Sequence, residues 1–312
     1  MKIIFFGSSE FSIEALKACL ASEHEVVMVI STPDQKKGRG LKLVPTVVKI
    51  LAEQKGLPVE TPDNLKDEIL RTRVAALKPD FFVVSSYGKF IPANWLKIPA
   101  VVALNVHPSL IPLYRGASPV NGPILNGDTE TGVTIMEVTS KLDAGDIFAQ
   151  EHYPLDARVD AEKLETELAH LSYRVLQNVF EKLEAGKLTR TPQKEAQATY
   201  AGKLTKEAGL ISFQDAAVVL DRKIRGLKPW PGTYILFEKE PLLILEGEAV
   251  GQTGAQAPGT LLAVHPDGSA DVAAGEGVLK IRIVKPSGKK AMPVAAFIHG
   301  RRLKPGFVFP PS

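Results

Sequence analysis

The chain has 312 residues, 45% of them hydrophobic and 23% charged, with a formal net charge of +3. This length favours two domains, and the composition is that of a globular protein, which excludes a disordered or repetitive chain. Its one cysteine, Cys19, excludes an intramolecular disulfide framework and a cysteine-based metal cluster, and we expect no bound metal. No apolar run is as long as a membrane span and no signal peptide precedes the first predicted strand, so we expect a cytoplasmic protein.

The first half of the sequence alternates apolar runs with helical patterns, as βαβ units do. The runs VVMVI and FFVVS are apolar at consecutive positions, which is typical of parallel strands covered on both faces. We therefore predict a doubly wound, mostly parallel, Rossmann-like α/β sheet. The turn from Gly7 to Ser12 lacks the further glycines of a dinucleotide-binding loop, which argues against such a site. The predicted strands are 2–6, 26–31, 58–60, 80–85, 101–106 and 132–138, and the predicted helices are 12–21, 44–55, 64–77, 117–126 and 160–185.

The second half begins after Gly186, which ends the long amphipathic helix and closes a first domain at 1–186. The stretch 187–207 is polar and lacks periodicity, so we interpret it as a linker packed along the surface. Beyond it, one helix at 214–225 and five short strands predict a smaller OB-like β-barrel domain at 208–312. Trp230, between two prolines, is predicted to be a packing anchor. The five strands are 232–237, 242–250, 259–264, 269–273 and 278–284.

Positive charge is concentrated in two places. Residues 201–312 hold 15 Lys and Arg against 10 Asp and Glu, a net +5, whereas residues 1–200 carry a net −2. This asymmetry favours the C-terminal half as the part that meets a polyanion. A basic loop at 32–43 also follows the second predicted strand, and its arginine and lysines suit phosphate contacts. The cations of this loop are Lys36, Lys37, Arg39 and Lys42.

A set of polar side chains at one sheet edge carries the chemistry. Asn105 and His107 lie two residues apart at the end of a predicted strand, so both side chains project to the same face. Asp143 follows the next strand and reaches the same edge, where ligands bind in open α/β sheets. In acyl transfer to an amine, Asn and His N–H groups can stabilise the developing oxyanion. A carboxylate beside the histidine can fix its tautomer and move a proton.

The segment NVHPSLIPLYRGASP at 105–119 resembles the signature of the formyltetrahydrofolate-dependent formyltransferases, and 105–146 matches that family as a whole. The resemblance implies that Asn105, His107 and Asp143 are catalytic and that 10-formyltetrahydrofolate is the formyl donor. It also implies a folate pocket built mostly from main chain. The implied pocket residues are Ser86, Tyr87, Gly88, Lys89, Phe90, Ile91, Ser109, Leu110, Pro112, Val138 and Leu142.

Three features resemble the tRNA-dependent members of this family: the basic loop, the segments ATYAGKL at 198–204 and IRGLKPWPG at 224–232, and the chain length. They imply formylation of the α-amino group of methionine on charged initiator tRNA, for translation initiation, and we expect a monomer. The cations of the basic loop would contact the tRNA. Two departures affect details of this resemblance: Asn121 stands where the family usually has Gln, and Leu41 stands where Lys is frequent.

Three alternatives remain open. A formyltetrahydrofolate hydrolase domain and a sugar-nucleotide formyltransferase would carry the same three catalytic side chains. The basic loop and the positive C-terminal region argue against both of them. A noncatalytic RNA-binding module with an OB-like barrel is a third alternative. The sequence lacks the clustered aromatic residues on which single-strand binders usually stack bases.

Overall fold

A computed structural model of the chain describes residues 1–37, 42–251 and 256–310. It divides into two compact units. The N-terminal unit comprises Met1–Val120, Glu130–Leu155 and Leu164–Gly202, and the C-terminal unit comprises Asn121–Thr129, Asp156–Lys163 and Lys203–Ser312. No local pattern in the sequence had assigned 121–129 and 156–163 to the second unit. The boundaries at 186 and 207 stay a prediction.

The elements up to residue 201 follow the predicted alternation of strands and helices. The strands are β1 (Lys2–Gly7), β2 (Glu25–Ile30), β3 (Gln35–Lys37), β4 (Lys42–Val44), β5 (Val59–Glu60), β6 (Phe81–Ser85), β7 (Val102–His107), β8 (Arg115–Gly116), β9 (Glu130–Glu137), β10 (Ile147–Pro154) and β11 (Tyr200–Ala201). The helices are α1 (Phe11–Ala21), α2 (Val47–Gln54), α3 (Glu68–Ala76), α4 (Ala93–Leu96), α5 (Asn121–Asn126) and α6 (Ala161–Glu184).

A seven-stranded sheet forms the centre of the N-terminal unit, in the order β10-β9-β7-β6-β1-β2-β5. Strands β5, β2, β1, β6 and β7 run parallel to one another, whereas β9 is antiparallel to both β7 and β10. The predicted mostly parallel, doubly wound sheet is confirmed. Strand β10 was missed because it is an edge strand whose side chains alternate between half-buried and exposed, so it forms no apolar run.

The central strands are buried on both faces. Residues Ile3 to Phe6 of β1 and Phe81 to Val83 of β6 are all 0% exposed. Full burial of one such side chain contributes about 1.5–3 kcal/mol. One face packs with Tyr87, Ile91 and Trp95 in a single apolar cluster. These strands hold their carboxyl ends in a fixed row, which is where the polar side chains lie.

Three helices begin later than their periodicity predicted, because capping or pairing takes their first residues. Thr46 caps α2 by accepting from Lys49 N at 3.1 Å, so Val44 remains in β4. Asp67 caps α3 by accepting from two backbone N–H groups. Ala117 N donates to Ala201 O at 2.9 Å, so the segment before α5 pairs with another part of the chain and does not extend the helix.

The C-terminal unit contains an antiparallel sheet with one helix at each end of its sequence, so the predicted smaller β domain is confirmed. The strands pair in the order β12-β13-β16-β15-β14, and β17 also pairs with β16. Their core contains Leu220 and Ile224 of the first helix and Phe297 of the second. The elements are α7 (Ala217–Gly226), β12 (Thr233–Phe237), β13 (Glu240–Val250), β14 (Leu261–Val264), β15 (Ala270–Ala273), β16 (Val278–Pro286), β17 (Met292–Pro293) and α8 (Val294–Gly300).

Candidate active site

The carboxyl end of β7 carries Asn105 and His107, whose alternate positions in the strand place both side chains on one face. Strand β9 lies beside β7 with Asn105 opposite Met136 and His107 opposite Thr134. Asp143 is in the loop that follows β9. The backbone of Asp143 has φ of 47°, a left-handed conformation that costs energy for any residue but glycine. The two adjacent strands therefore deliver three polar side chains to one place.

The three side chains contact one another through Asp143. Its Oδ1 accepts from Asn105 Nδ2 at 3.4 Å, and its Oδ2 is 3.9 Å from His107 Nδ1. The same Oδ2 accepts from the backbone N–H of Gly116 at 2.8 Å. The carboxylate is thus held between an amide, an imidazole and a main-chain donor, and the predicted side chains do come together.

The environment of His107 sets its protonation state. The residue is 4% exposed, and this burial lowers the pKa of the imidazole below its ordinary value of 6.5, while Asp143 and the Tyr114 carbonyl act in the opposite direction. His107 Nε2 is 3.1 Å from Tyr114 O, and because a carbonyl can only accept, Nε2 carries the hydrogen. In the neutral ring, Nδ1 is therefore a lone-pair acceptor facing Asp143. The sequence predicted that the carboxylate of Asp143 fixes the tautomer of His107. In the structure the Tyr114 carbonyl fixes it.

In the loop 86–91, which is predicted to bind folate, three side chains are engaged within the protein and the Phe90 ring is exposed. Tyr87 and Ile91 point into the apolar core, and Lys89 Nζ donates to the carbonyls of Pro62 and Asp63 at 2.8 and 2.7 Å. The Phe90 side chain is 73% exposed. Both Ser86 and Gly88 have positive φ, which turns the chain sharply after β6. Burial raises the pKa of the Tyr87 hydroxyl to about 12, so this phenol stays protonated.

The other predicted folate residues fall into two groups. Ser109 and Pro112 are bonded within the protein: Ser109 Oγ donates to Leu113 O of its own loop at 2.7 Å, and Pro112 O accepts from Thr199 N at 3.1 Å. Leu110 packs against Gly132 of β9. Val138 packs against the cluster that contains Tyr87, whereas Leu142 is 63% exposed. Exposed apolar side chains thus lie on two of the predicted segments, and folate contact by all these residues stays a prediction.

The basic loop contains a short hairpin in which β3 pairs antiparallel with β4. Lys36 and Lys42 lie on it and are exposed, as is Leu43, at 65%. Lys49 Nζ binds both carboxylate oxygens of Asp34, at 2.9 and 3.0 Å, where the hairpin begins. Lys37 is the last residue of β3, and both Arg39 and Leu41 fall outside the described residues.

Residues 191–201, which lie within the predicted surface linker 187–207, pair with other parts of the N-terminal unit. Thr191 and Ile147 exchange two backbone hydrogen bonds, and β11 pairs in parallel with β8. We call 191–201 the strap, because it contacts both the segment that follows His107 and the loop that contains Asp143. Three residues of this network had been given no role: Arg115, Gln193 and Glu195. The one signal for them in the sequence is the position of Arg115 inside the signature segment 105–119.

Two further expectations concern the C-terminal unit. Trp230, predicted to be a packing anchor, is 53% exposed, so that prediction is wrong. Its flanking prolines hold the indole on a turn that Gly232 N closes by donating to Leu227 O at 2.9 Å. Asn121, the departure from the family pattern, donates from Nδ2 to Gly226 O at 2.7 Å and so ties α5 to the end of α7.

Within 1–37, 42–251 and 256–310, no three His, Cys, Asp or Glu side chains are grouped so that they could bind a metal ion. The helices of these same ranges include none with the length and apolar character needed to cross a membrane.

Two family comparisons cover nearly the whole chain. Residues 1–180 match the formyl transferase family, and residues 203–302 match the formyl transferase C-terminal domain family. Methionyl-tRNA formyltransferase of Moorella thermoacetica is 38% identical over 306 residues, covering 98% of both chains. The protein of the same name from a Roseiflexus species is 39% identical over 307 residues, covering 98% of this chain and 94% of that one.

Solved structures resemble this chain in fold. The N-formyltransferase of Helicobacter canadensis, in complex with folinic acid and dTDP-3-aminofucose, superposes with a TM-score of 0.66 at 16% identity, covering 90% of this chain and 98% of that one. HypX of Aquifex aeolicus, in complex with tetrahydrofolic acid, gives a TM-score of 0.61 at 19% identity, covering 96% of this chain. This chain spans about half of HypX, 47% of its length.

Proposed function

Because the chain belongs to the methionyl-tRNA formyltransferase family, we propose that it transfers a formyl group to the α-amino group of methionine carried by initiator tRNA, for translation initiation. The observation that carries the proposal is the contact of Asp143 with both Asn105 and His107 at the carboxyl edge of β7. These residue types suit acyl transfer to an amine, because the substrate amine is itself the nucleophile and no side-chain nucleophile is required.

Asn105, His107 and Asp143 have different proposed roles in the reaction. Negative charge develops on the formyl oxygen as the amine attacks, and we assign the stabilising donor to Asn105 Nδ2, whose other N–H is directed at Asp143. His107 accepts the proton of the amine at Nδ1 and returns it to the departing nitrogen of the donor. Because Nε2–H of the neutral ring is engaged by Tyr114, His107 stabilises an oxyanion only after Nδ1 is protonated. Asp143 then stabilises the imidazolium from 3.9 Å.

The donor proposed is 10-formyltetrahydrofolate, which supplies a formyl group bound to nitrogen. We place this flat, partly aromatic molecule on two segments that border one apolar cluster, 86–91 and 138–142. Each segment presents an exposed apolar side chain, Phe90 at 73% and Leu142 at 63% exposed, that such a ligand would cover. The positive φ of Ser86 and Gly88 turns the first segment sharply after β6. Pocket contacts of Ser109, Leu110 and Pro112 belong to the same proposal.

For the tRNA, we propose contacts from Lys36, Lys37, Arg39 and Lys42. Support comes from the exposure of Lys36 and Lys42 on the β3–β4 hairpin and from the fork of donors that an arginine offers to phosphate. The C-terminal half, with its net charge of +5, is the second proposed contact region. We further propose that the protein acts as a monomer in the cytoplasm, where its tRNA substrate is used.

Formyl transfer measured side by side on charged initiator tRNA and charged elongator tRNA tests the proposal. We expect transfer of the formyl group to the methionyl amine of the initiator tRNA, with a much lower kcat/KM for the elongator tRNA. Salt is a further variable, since each duplex phosphate contact adds about 0.9 to the slope of log affinity against log salt. If the folate donor is consumed equally fast without any tRNA, the protein is a hydrolase and the proposal fails.

A further inference from the structure

We propose that Gln193 is a positioning residue for Asp143, and that buried Arg115 holds Gln193 in place. The inference rests on the proposed function, since it assumes that Asp143 and His107 act in formyl transfer. It goes further in giving the strap a role in the reaction. The strap would set the distance between the carboxylate and the imidazole.

The side-chain amide of Gln193 is fully engaged. Its Nε2 donates to the carbonyl oxygens of Asp143 and Gly145, at 2.9 and 2.6 Å. Its Oε1 accepts from Arg115 Nη2 at 2.7 Å and from Nε at 3.2 Å. The opposite amide orientation would place an NH₂ group against a guanidinium and an oxygen against two carbonyls, so the partners fix the assignment. Both donors of the amide therefore hold the backbone on either side of Ala144.

Arg115 is the buried support of this amide. The residue is 1% exposed, and its guanidinium forms a two-point ion pair with Glu195, at 3.0 and 2.9 Å. The hydrogen bond with Glu195 raises the pKa of Arg115, and the same bond lowers the pKa of the Glu195 carboxyl. A planar fork of donors serves the two acceptors Gln193 and Glu195 at once, which a lysine could not do. Arg115 thus links the strap to β8, the short strand that also contains Gly116.

Asp143 is consequently fixed at both ends. Gly116 N holds the carboxylate at 2.8 Å, and Gln193 holds the main-chain carbonyl at 2.9 Å. Arg115 and Gly116 form β8, so one short strand supports both contacts. The φ of 47° at Asp143 lies in the left-handed region, which aspartate tolerates better than most residues with a side chain. The hydrogen bonds from Gln193 to the carbonyls of Asp143 and Gly145 hold the backbone in this turn.

The strap also acts on the histidine. Thr199 Oγ1 accepts from Tyr114 N at 2.9 Å, and Tyr114 O is the acceptor that orients His107 Nε2 at 3.1 Å. Tyr200 and Ala201 lie in register beside Arg115 and Gly116. The strap therefore contacts the residues that position both members of the proposed proton-transfer pair.

Two substitutions of Gln193 test the proposal in the full-length protein. Gln193→Glu keeps the shape and the acceptor facing Arg115 but removes both donors, and Gln193→Met removes the donors without adding charge. We expect kcat for formyl transfer to fall about 10- to 100-fold in both, since misplacement by an ångström can cost that much. KM for charged tRNA and for the folate donor should stay within about threefold. The acid limb of the kcat–pH profile should shift, because the distance from Asp143 to His107 changes.

The control is Gln197→Glu, which makes the same chemical change at an exposed position of the strap. It should leave kcat and the pH profile at their wild-type values. The proposal is overturned if either Gln193 variant folds and keeps kcat within twofold of wild type, or if Gln197→Glu loses as much. A loss of kcat with an unshifted pH profile, or loss of folding in both Gln193 variants, would assign Gln193 a structural role and equally overturn it. If His107→Ala keeps its turnover, the proposed function itself fails.

Discussion

Two regions of the N-terminal unit differ in how firmly their side chains are held. One is the carboxyl end of β7 with the strap, and the other is the β3–β4 hairpin between β2 and α2. At the edge of β7, buried side chains such as His107 and Arg115 are fixed by several hydrogen bonds each. On the hairpin, Lys36, Lys42 and Leu43 are exposed. Proton transfer and oxyanion stabilisation require groups that are in place before the substrate arrives. Capture of a large polyanion requires charges that face solvent and can adjust.

The largest expected effect comes from the fixed edge. We expect Asn105→Ala, His107→Ala and Asp143→Asn each to lower kcat by about 10²-fold or more, because each removes a group to which we assign a role as the amine attacks. Folate binding should change little, since none of these side chains lies in the proposed pocket segments. Single-turnover formyl transfer with saturating donor and tRNA measures the loss. A His107→Ala protein that turns over at nearly the native rate would end the comparison, because the edge would then be merely structural.

The sequence predicted the polar side chains at the edge of β7 but not the residues that hold them in place. The apolar runs of β1, β2, β6 and β7 predicted the sheet, and the spacing of Asn105 and His107 with the signature segment predicted the site. Gln193 carries no such signal, because its bonds reach carbonyls 50 and 48 residues away and depend on tertiary folding. The hairpin and β10 were missed because neither forms an apolar run, and α8, at seven residues, is too short to show a period.

A smaller effect is expected on the hairpin. Arg39→Ala should raise the free-energy barrier expressed by kcat/KM for charged initiator tRNA by about 1–3 kcal/mol, since it removes the proposed two-point contact to phosphate or base. Lys55→Ala, at an exposed position just after α2, is the matched control and should be neutral. The wild-type protein and both variants should hydrolyse the folate donor at the same rate when no tRNA is present. Unchanged tRNA kinetics for Arg39→Ala would leave the C-terminal half as the proposed tRNA contact.

The pH dependence sharpens the role of burial at the edge. Burial lowers the pKa of His107 below 6.5, so the ring is neutral at pH 7 and can accept the proton of the amine. We expect kcat to be flat near neutral pH and to fall about tenfold per pH unit below the lowered pKa. Asp143 raises this pKa, so Asp143→Asn should move the acid limb to lower pH. A limb that moves to higher pH in Asp143→Asn would contradict the assignment.

The same shift has a consequence for stability. The native pKa of His107 lies below the ordinary value of 6.5, so the unfolded chain binds the proton more tightly. The contribution of the neutral ring is therefore complete above about pH 6.5 and is lost as pH falls through the range down to the native pKa. Urea unfolding at a series of pH values should show a shallower decline below pH 6.5 in His107→Ala. An identical slope in both proteins would contradict the lowered pKa.

The smallest expected effect lies at the base of the hairpin. Lys49 and Asp34 form an ion pair at 2.9 Å whose side chains are 22% and 29% exposed. Water screens such a pair and ordering two side chains offsets its attraction, so Lys49→Met should change the free energy of unfolding by no more than about 1 kcal/mol. We expect kcat to be unchanged and KM for charged tRNA to rise by about threefold at most, because the hairpin loses one restraint. Lys17→Met, which removes the Glu14 pair on α1, is the matched control for urea unfolding and for KM. A loss of kcat in Lys49→Met comparable to that in Gln193→Glu would show that the hairpin, like the strap, must be held rigidly for the reaction itself, and the two regions would then share one design.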